Sequence, residues 1–172
     1  DHDTVTLLLS VLIKLKDEDG LKRFVSYFRR SGKYIEKENY KDLDDESYFF
    51  SDLRLFDLEL IRSLLIDSKL NQLCYQFVFK FSKDPIMITD VLLNVLKETE
   101  ATLKYVKSLS VDDILRVLVR FSKQLLYLSP NETNLLLIEV FTGKYRPSSY
   151  VSDINNVVNT KTGSKSEKNP VF

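Results

Sequence analysis

Side chains that catalyse reactions or bind metals are scarce in this chain. The only histidine is His2 and the only cysteine is Cys74, and they lie far apart in the sequence. Zinc requires a cluster of cysteine, histidine or carboxylate ligands, so these two residues predict no metal site. A serine–histidine–aspartate triad would depend on His2, at an end of the chain that we expect to fray. Cys74 lies on an apolar helical face, which indicates a buried, unreactive thiol.

Loops that bind phosphates or nucleotides need glycines at fixed positions, and the sequence has only four glycines. Gly143-Lys144 follows a predicted helix rather than a strand, and no glycine stands five residues earlier, so the pair does not form a phosphate loop. The same scarcity excludes a dinucleotide-binding fingerprint. The sequence therefore predicts no catalytic residue, no cofactor and no small-molecule substrate.

Acidic side chains are grouped in two places. Asp112-Asp113 falls in the first turn of a predicted helix, where negative charge favours the helix dipole. The other group lies in an irregular charged stretch, residues 31–52, which lacks the glycine and ligand spacing of a calcium loop. This stretch is either a solvated connecting loop or a contact segment that orders on a partner. Its candidate contact residues are Asp42, Asp44, Asp45, Glu46 and Tyr48.

Composition places the chain among folded, non-membrane proteins. Its 172 residues suffice for one domain with a core, and 44% apolar with 29% charged residues is typical of a globular chain. The 25 basic and 25 acidic residues cancel, which disfavours nucleic-acid and direct anionic-membrane binding. The sequence shows no apolar run of membrane-spanning length and no signal peptide. A single cysteine excludes intrachain disulfides and favours a reducing compartment.

Residues 71–85 fit two secondary structures. Their aromatic side chains alternate as in a half-buried strand, at Tyr75, Phe77, Phe79 and Phe81. A helical face also fits, because apolar residues fill every inward position: Leu70, Leu73, Cys74, Phe77, Val78 and Phe81. The following Asp84-Pro85 pair has the residues of a helix start. The pattern therefore predicts a helix with Phe77 and Phe81 facing inward and Lys80 outward.

Similar spacings predict about eight helices and no strand. Thr4–Lys16 is expected to bury Leu8, Val11, Leu12 and Leu15. Leu21–Arg30 is expected to bury Leu21, Phe24, Val25 and Phe28, with Arg29-Arg30 favouring the helix C-terminus. The helix that starts at Ser110, with Asp113 in a reciprocal capping box, is expected to bury Ile114, Leu115, Leu118, Phe121 and Leu125. Ser129 is predicted to cap the last helix and Gly143 to end it.

The helix starts recur at a regular interval. Asp57, Asp84 and Ser110 lie 27 and 26 residues apart, and each opens a pair of helices. One pair cannot bury its apolar faces alone, so successive pairs must stack. We therefore predict an all-α fold, an α-solenoid of stacked antiparallel helix hairpins over residues 1–145. Residues 146–172 are predicted to be a flexible linker.

Three stretches, in this order, resemble the family of vacuolar protein sorting protein eleven: "DHDTVTLLLSVLIKLKDEDGLKRFV", "FDLELIRSLLIDSKLNQLCYQFVFKFSKD" and "LSPNETNLLLIEVFTGKYRP". The second is similar to a clathrin-heavy-chain-type repeat, although Ser68-Lys69-Leu70 replaces the small-residue turn of that repeat. The resemblance implies a middle solenoid segment, excised from a larger subunit that HOPS and CORVET share. Those complexes tether endosomes and vacuoles or lysosomes before fusion.

The resemblance also implies partners and a location. The partners would be other class C vacuolar protein sorting subunits, and association with endosome and vacuole membranes would be peripheral and through the complex. No binding residue transfers with it, because the matching positions Leu7-Leu8-Leu9, Asp57 and Thr133 are structural. Two alternatives remain: another helical-repeat adaptor of coat or nuclear-pore type, and a small helical enzyme using Asp42, Asp44 and Asp45.

Overall fold

The computed structural model describes residues 1–30, 33–34 and 55–150. Within these ranges the structure is helical apart from one short hairpin, which confirms the predicted all-α class. The α-helices are α1 (His2–Lys14), α2 (Glu18–Ser26), α3 (Leu58–Asp67), α4 (Asn71–Phe81), α5 (Pro85–Asp90), α6 (Thr99–Val106), α7 (Val111–Leu128) and α8 (Pro130–Phe141). A π-helical turn, Val91–Val95, follows α5 directly.

The ambiguous stretch is a helix. In α4 the predicted inward residues Leu73, Cys74, Phe77 and Val78 are buried, and Phe81 is half-buried. Tyr75, which the helical pattern placed elsewhere, is buried as well. Asp84 caps α5, since its carboxylate accepts a hydrogen bond from the Ile86 N–H, and Pro85 follows at the first position. The Asp84 side chain thus fixes the start of α5 by accepting a hydrogen bond from a backbone N–H two residues later.

The prediction for Leu21–Arg30 was wrong in its second half. Helix α2 ends at Ser26, and strand β1 (Phe28–Arg29) pairs antiparallel with strand β2 (Lys33–Tyr34). Arg29 is therefore in a strand, and the Arg30 guanidinium lies 4.2 Å from the centre of the Phe79 ring. Pairing across this hairpin and the cation–π contact with Phe79 of α4 override the local helical pattern here.

Residues 1–91 form one compact unit. In it α1 packs against α2, and α3 packs against α4. The two pairs also contact each other, α1 on α3 and α2 on α4. Near the N-terminal ends of α1 and α3, the Asp57 N–H donates to Thr6 Oγ1 at 3.0 Å. Thr6 Oγ1 in turn donates to the His2 carbonyl at 2.8 Å. This buried hydroxyl therefore ties the beginning of α3 to that of α1.

Aromatic side chains from four segments fill the centre of this unit. Ring centroids 4.9 to 6.0 Å apart join Phe24, Phe28, Phe56, Phe77 and Phe81 into one cluster. Tilted and edge-on pairs predominate, as the charge distribution of aromatic rings favours. Phe77 has no exposed surface and contacts Phe24 in a stacked arrangement. Two of the aromatics that first suggested a strand, Phe77 and Phe81, thus pack in this cluster from one face of α4, while Tyr75 stacks on Phe79.

The described residues 92–150 form the second unit. Helix α7 packs on both α6 and α8. After α8 the chain passes along α6: the Ser148 N–H donates to the Lys107 carbonyl at 3.0 Å, and the buried Tyr150 ring lies 5.4 Å from that of Tyr105. The described part of the predicted linker, residues 146–150, therefore contacts α6, and residues 151–172 lie outside the described ranges.

Polar side chains mark most helix starts as predicted. The Asp57 carboxylate accepts from the Leu60 N–H and the Ser110 hydroxyl from the Asp113 N–H. Ser129 differs, because its side chain makes no cap hydrogen bond. Only Ser129 lies between the end of α7 and the start of α8. The Thr133 hydroxyl donates a hydrogen bond to the Leu125 carbonyl of α7 at 3.0 Å. Ser129 occupies the N-cap position with non-helical φ −144° and ψ 75°, but its side chain does not supply the predicted cap.

Residues in the left-handed backbone conformation follow several helices. Gly143 has φ +73°, and the Lys144 N–H donates to the Glu139 carbonyl, which confirms the predicted stop. Lys16, Lys69 and Lys97 also have positive φ, at 51°, 58° and 55°. After α3 the Lys69 and Leu70 N–H groups donate to the Ile66 and Leu65 carbonyls. Lysine thus occupies a conformation that normally favours glycine.

Two predicted inward faces were wrong. In α1 three residues predicted to be buried lie at the surface: Leu8, Val11 and Leu15 are 53%, 43% and 73% exposed. The buried face carries Thr6, Leu9 and Ile13 instead. Helix α1 is apolar on opposite sides, so its periodicity fits two orientations and cannot choose between them. In α7, Leu115 is exposed and Val117 takes the inward position.

Candidate functional site

The predicted contact residues cannot be placed. Asp42, Asp44, Asp45, Glu46 and Tyr48 lie outside the described residues. The described chain resumes before α3, where Phe56 is buried in the aromatic cluster and Asp57 bonds to Thr6. The contact role of the acidic segment stays a prediction.

Cys74 lies in an environment that suppresses reactivity. Its side chain has no exposed surface, and Sγ lies 3.9 Å from the Arg62 carbonyl oxygen. Burial raises the thiol pKa to about 12; Arg62 opposes that rise and Asp90 adds to it. Because the thiolate is the nucleophilic form, a thiol held neutral in this way does not attack substrates. The prediction of a buried Cys74 is confirmed.

An ion-pair network lies close enough to this thiol to affect its pKa. The Arg62 guanidinium lies 3.0 Å from the Glu59 carboxylate within α3 and 3.7 Å from the Asp90 carboxylate at the end of α5. Its Nε is buried without a hydrogen-bond partner. The contact with Asp90 joins α3 to α5, and the guanidinium is partly exposed, so screening by water weakens these pairs.

The other groups considered for chemistry have structural positions. His2 Nδ1 lies 3.2 Å from Asp3 Oδ1 on the exposed first turn of α1. The Asp113 N–H donates to the Ser110 hydroxyl, and the Asp113 carboxylate lies 3.6 Å from the Arg116 guanidinium. Both contacts stabilise the first turns of α7. Within residues 1–30, 33–34 and 55–150, no three histidine, cysteine or acidic side chains come together as a metal site would require.

One shallow cavity of about 240 Å³ lies between α2 and the start of α4. Its lining mixes both charge signs with amide groups: Glu18, Lys22, Lys69, Leu70, Asn71, Gln72, Leu73 and Gln76. The first turn of α4 receives no side-chain cap. Such a groove can hydrogen-bond a polar chain.

Exposed apolar faces are the most distinctive surfaces of the described chain. On α1 the face opposite the core carries Leu7, Leu8, Val11 and Leu15. On α8, opposite the buried Thr133 and Leu136, the exposed side chains are Leu135, Ile138 and Phe141. The sequence pattern assigned Leu8, Val11 and Leu15 of the first set to the core and did not identify the second set. The detectable signal was apolar residues on both sides of one helix, which indicates contacts on both sides.

Comparison with protein-family models and with curated proteins finds no match for this chain. Among the described residues, no helix has the length and hydropathy needed to span a bilayer.

Proposed function

We propose that this chain is a scaffold segment, an α-solenoid of stacked helix hairpins that works through its surfaces. One observation carries the proposal: in residues 1–91 two consecutive helix pairs lie side by side, α1 against α3 and α2 against α4. A repeated contact of this kind extends a single core along one direction. Further along the sequence, the helix starts at Asp57, Asp84 and Ser110 recur at intervals of 27 and 26 residues.

The stacking contact is well suited to hold surfaces at a fixed separation. The Phe cluster, buried around Phe77, fills the space among α2, α4 and the start of α3. The Thr6–Asp57 hydrogen bond sets the register of α1 against α3. A close-packed core resists deformation, so binding surfaces at different points of such a stack keep their spacing.

Within this class, the resemblance to the vacuolar protein sorting protein eleven family suggests the particular role. We infer a segment of a core subunit of HOPS and CORVET, which supports tethering of endosomes and vacuoles or lysosomes before fusion. Its partners are other class C subunits, and it reaches the membrane through the complex. The acidic residues Asp42, Asp44, Asp45 and Glu46, with Tyr48, are the proposed contact segment.

Crosslinking mass spectrometry of the assembly purified through this chain tests the role. The expected result is a crosslink to a class C subunit from Lys37 or Lys41, which both precede the acidic residues in the sequence. Replacing the four acidic residues with their amides should then weaken recovery of that subunit. The matched control, Glu100→Gln with Asp112→Asn, removes exposed charge from helices and should leave recovery unchanged.

A different helical-repeat adaptor, of coat or nuclear-pore type, shares the stacked pairs and is the alternative. It predicts that the purified chain recovers no class C subunit but specifically recovers proteins of a coat or pore. The enzyme hypothesis makes a separate prediction: alanine at Asp42, Asp44 and Asp45 would abolish a catalytic rate while folding and partner recovery persist.

A further inference from the structure

The outer face of α1 has the spacing of a helix-pairing seam. Thr4, Leu8, Val11 and Leu15 follow one another at intervals of four, three and four residues. These are the a and d positions of two heptads, and all four side chains are exposed. Leu7 widens the stripe on one edge and is 66% exposed. The core-facing residues Leu9 and Ile13 lie on the opposite side of the same helix.

Charge on this face is confined to one edge and to opposite ends. Asp3 lies in the first turn and Lys14 in the last turn, both exposed and both on the edge that carries Leu7. Asp17, which follows the helix, is engaged in capping α2 through the Gly20 N–H. An antiparallel copy related by a two-fold axis lays this edge of both helices side by side and brings Asp3 beside Lys14 twice, whereas a parallel copy places the two edges on opposite sides of the pair.

We propose that the outer face of α1 binds the same face of a second copy of this chain, with the two helices antiparallel about a two-fold axis. Such a contact is self-complementary, so one surface patch closes a dimer without leaving a site for further growth. The apolar seam provides the affinity and the two Asp3–Lys14 pairs select the orientation. A single short helix pair is a small interface, so the dimer is weak and depends on concentration. The inference rests on α1 alone and does not depend on the proposed function.

Sedimentation velocity of the whole chain over a range of concentrations tests the contact. The expected result is a monomer–dimer equilibrium in which Leu8→Glu raises the dissociation constant roughly tenfold or more, because charge is buried in the seam. Val119→Glu is the matched control, since Val119 is 87% exposed on α7, and it should leave the equilibrium unchanged. A monomer at every concentration, or equal effects of the two variants, overturns the proposal.

The orientation has its own test. Asp3→Lys and Lys14→Asp should each weaken the dimer, and the double variant should recover the wild-type dissociation constant. Both positions are exposed, so circular dichroism should show folded protein in every case. A double variant no tighter than the single variants would exclude the antiparallel pairing. If Leu8→Glu fails to fold, Val11→Lys repeats the seam test at a half-exposed position of the same stripe.

Discussion

The Tyr145 hydroxyl lies 2.6 Å from the Leu109 carbonyl oxygen and 2.9 Å from that of Lys107. Carbonyl groups just beyond a helix end have no partner within the helix, and here a side chain from beyond α8 supplies one. Tyr145 is buried, so water cannot take its place. One residue therefore links the exit of α8 to the end of α6 within the second unit.

Tyr145→Phe should lower the free energy of unfolding by about 1 to 2 kcal/mol, because it leaves a buried carbonyl without its donor. Urea denaturation followed by circular dichroism measures the loss. Tyr127→Phe is the matched control, since Tyr127 is 87% exposed, and its effect should be near zero. Equal stabilities of the two variants would contradict the linking role of Tyr145.

The same hydroxyl predicts a pH dependence at the alkaline end. Burial, followed by the Glu139 carboxylate, raises the pKa of Tyr145 to about 12, from an ordinary value of about 10. The fold favours the neutral phenol, so this contribution is complete below the unfolded pKa and is lost as pH rises through the folded one. The stability difference between the wild type and Tyr145→Phe should shrink across that interval. A constant difference would argue against a buried, neutral phenol.

Phe77→Ala should cost about 3 to 5 kcal/mol, since Phe77 is fully buried and touches Phe24, Phe56 and Phe81. Thermal or urea melts measure the loss. Leu60→Ala provides an exposed apolar control on α3 and should cost far less. Comparable losses in the two variants would mean that the inward face of α4 is misassigned.

Lys80 has a larger expected effect than its outward position predicted. The sequence alone suggested a cost below about 0.5 kcal/mol for Lys80→Ala. The structure shows Lys80 Nζ donating to the Phe28 carbonyl in β1 at 2.7 Å. We therefore expect about 1 kcal/mol for Lys80→Met, which keeps the apolar stem and removes the donor. Lys104→Met, at an exposed position of α6, is the comparison, and an equally large loss there would discount the contact.

Much of the helical framework follows from local signals. The six inward positions of α4 and the Asp84-Pro85 start identify two helices because period and cap lie within a few residues of each other. The end of α2 could not be found in this way. The Phe28–Tyr34 pairing joins residues across a hairpin and the Arg30–Phe79 contact joins residues far apart in sequence, and together they decide that Arg29 is in a strand.

The local sequence pattern could not predict which face of α1 is buried, for a different reason. With leucine at positions 7, 8 and 9, two opposite faces satisfy the same spacing. The choice comes from Thr6, whose hydroxyl accepts the Asp57 N–H from α3. The candidate contact segment was identified from composition alone, and it stays a prediction because Asp42 and its neighbours lie outside the described residues.

Lys69→Gly should stabilise the first unit by about 0.5 to 1 kcal/mol. A side chain at φ +58° is strained and glycine is not, although glycine loses more entropy on folding. Lys22→Gly is the opposing control, because it places glycine inside α2 and should destabilise by about 1 kcal/mol. Urea denaturation of both variants measures the difference. A loss of stability in Lys69→Gly would show that the lysine side chain makes a compensating contact.

Cys74 should resist alkylation in the native state. Its thiol is buried in α4 and has its pKa raised to about 12, so the reactive thiolate is scarce at neutral pH. Iodoacetamide labelling followed by mass spectrometry should modify Cys74 only after denaturant is added. Lys22→Cys provides a second thiol on the exposed side of α2, which should label without denaturant in the same molecule. Equal labelling of both thiols in buffer would show that α4 opens readily from the aromatic cluster, and the stacked packing would then be far weaker than its contacts indicate.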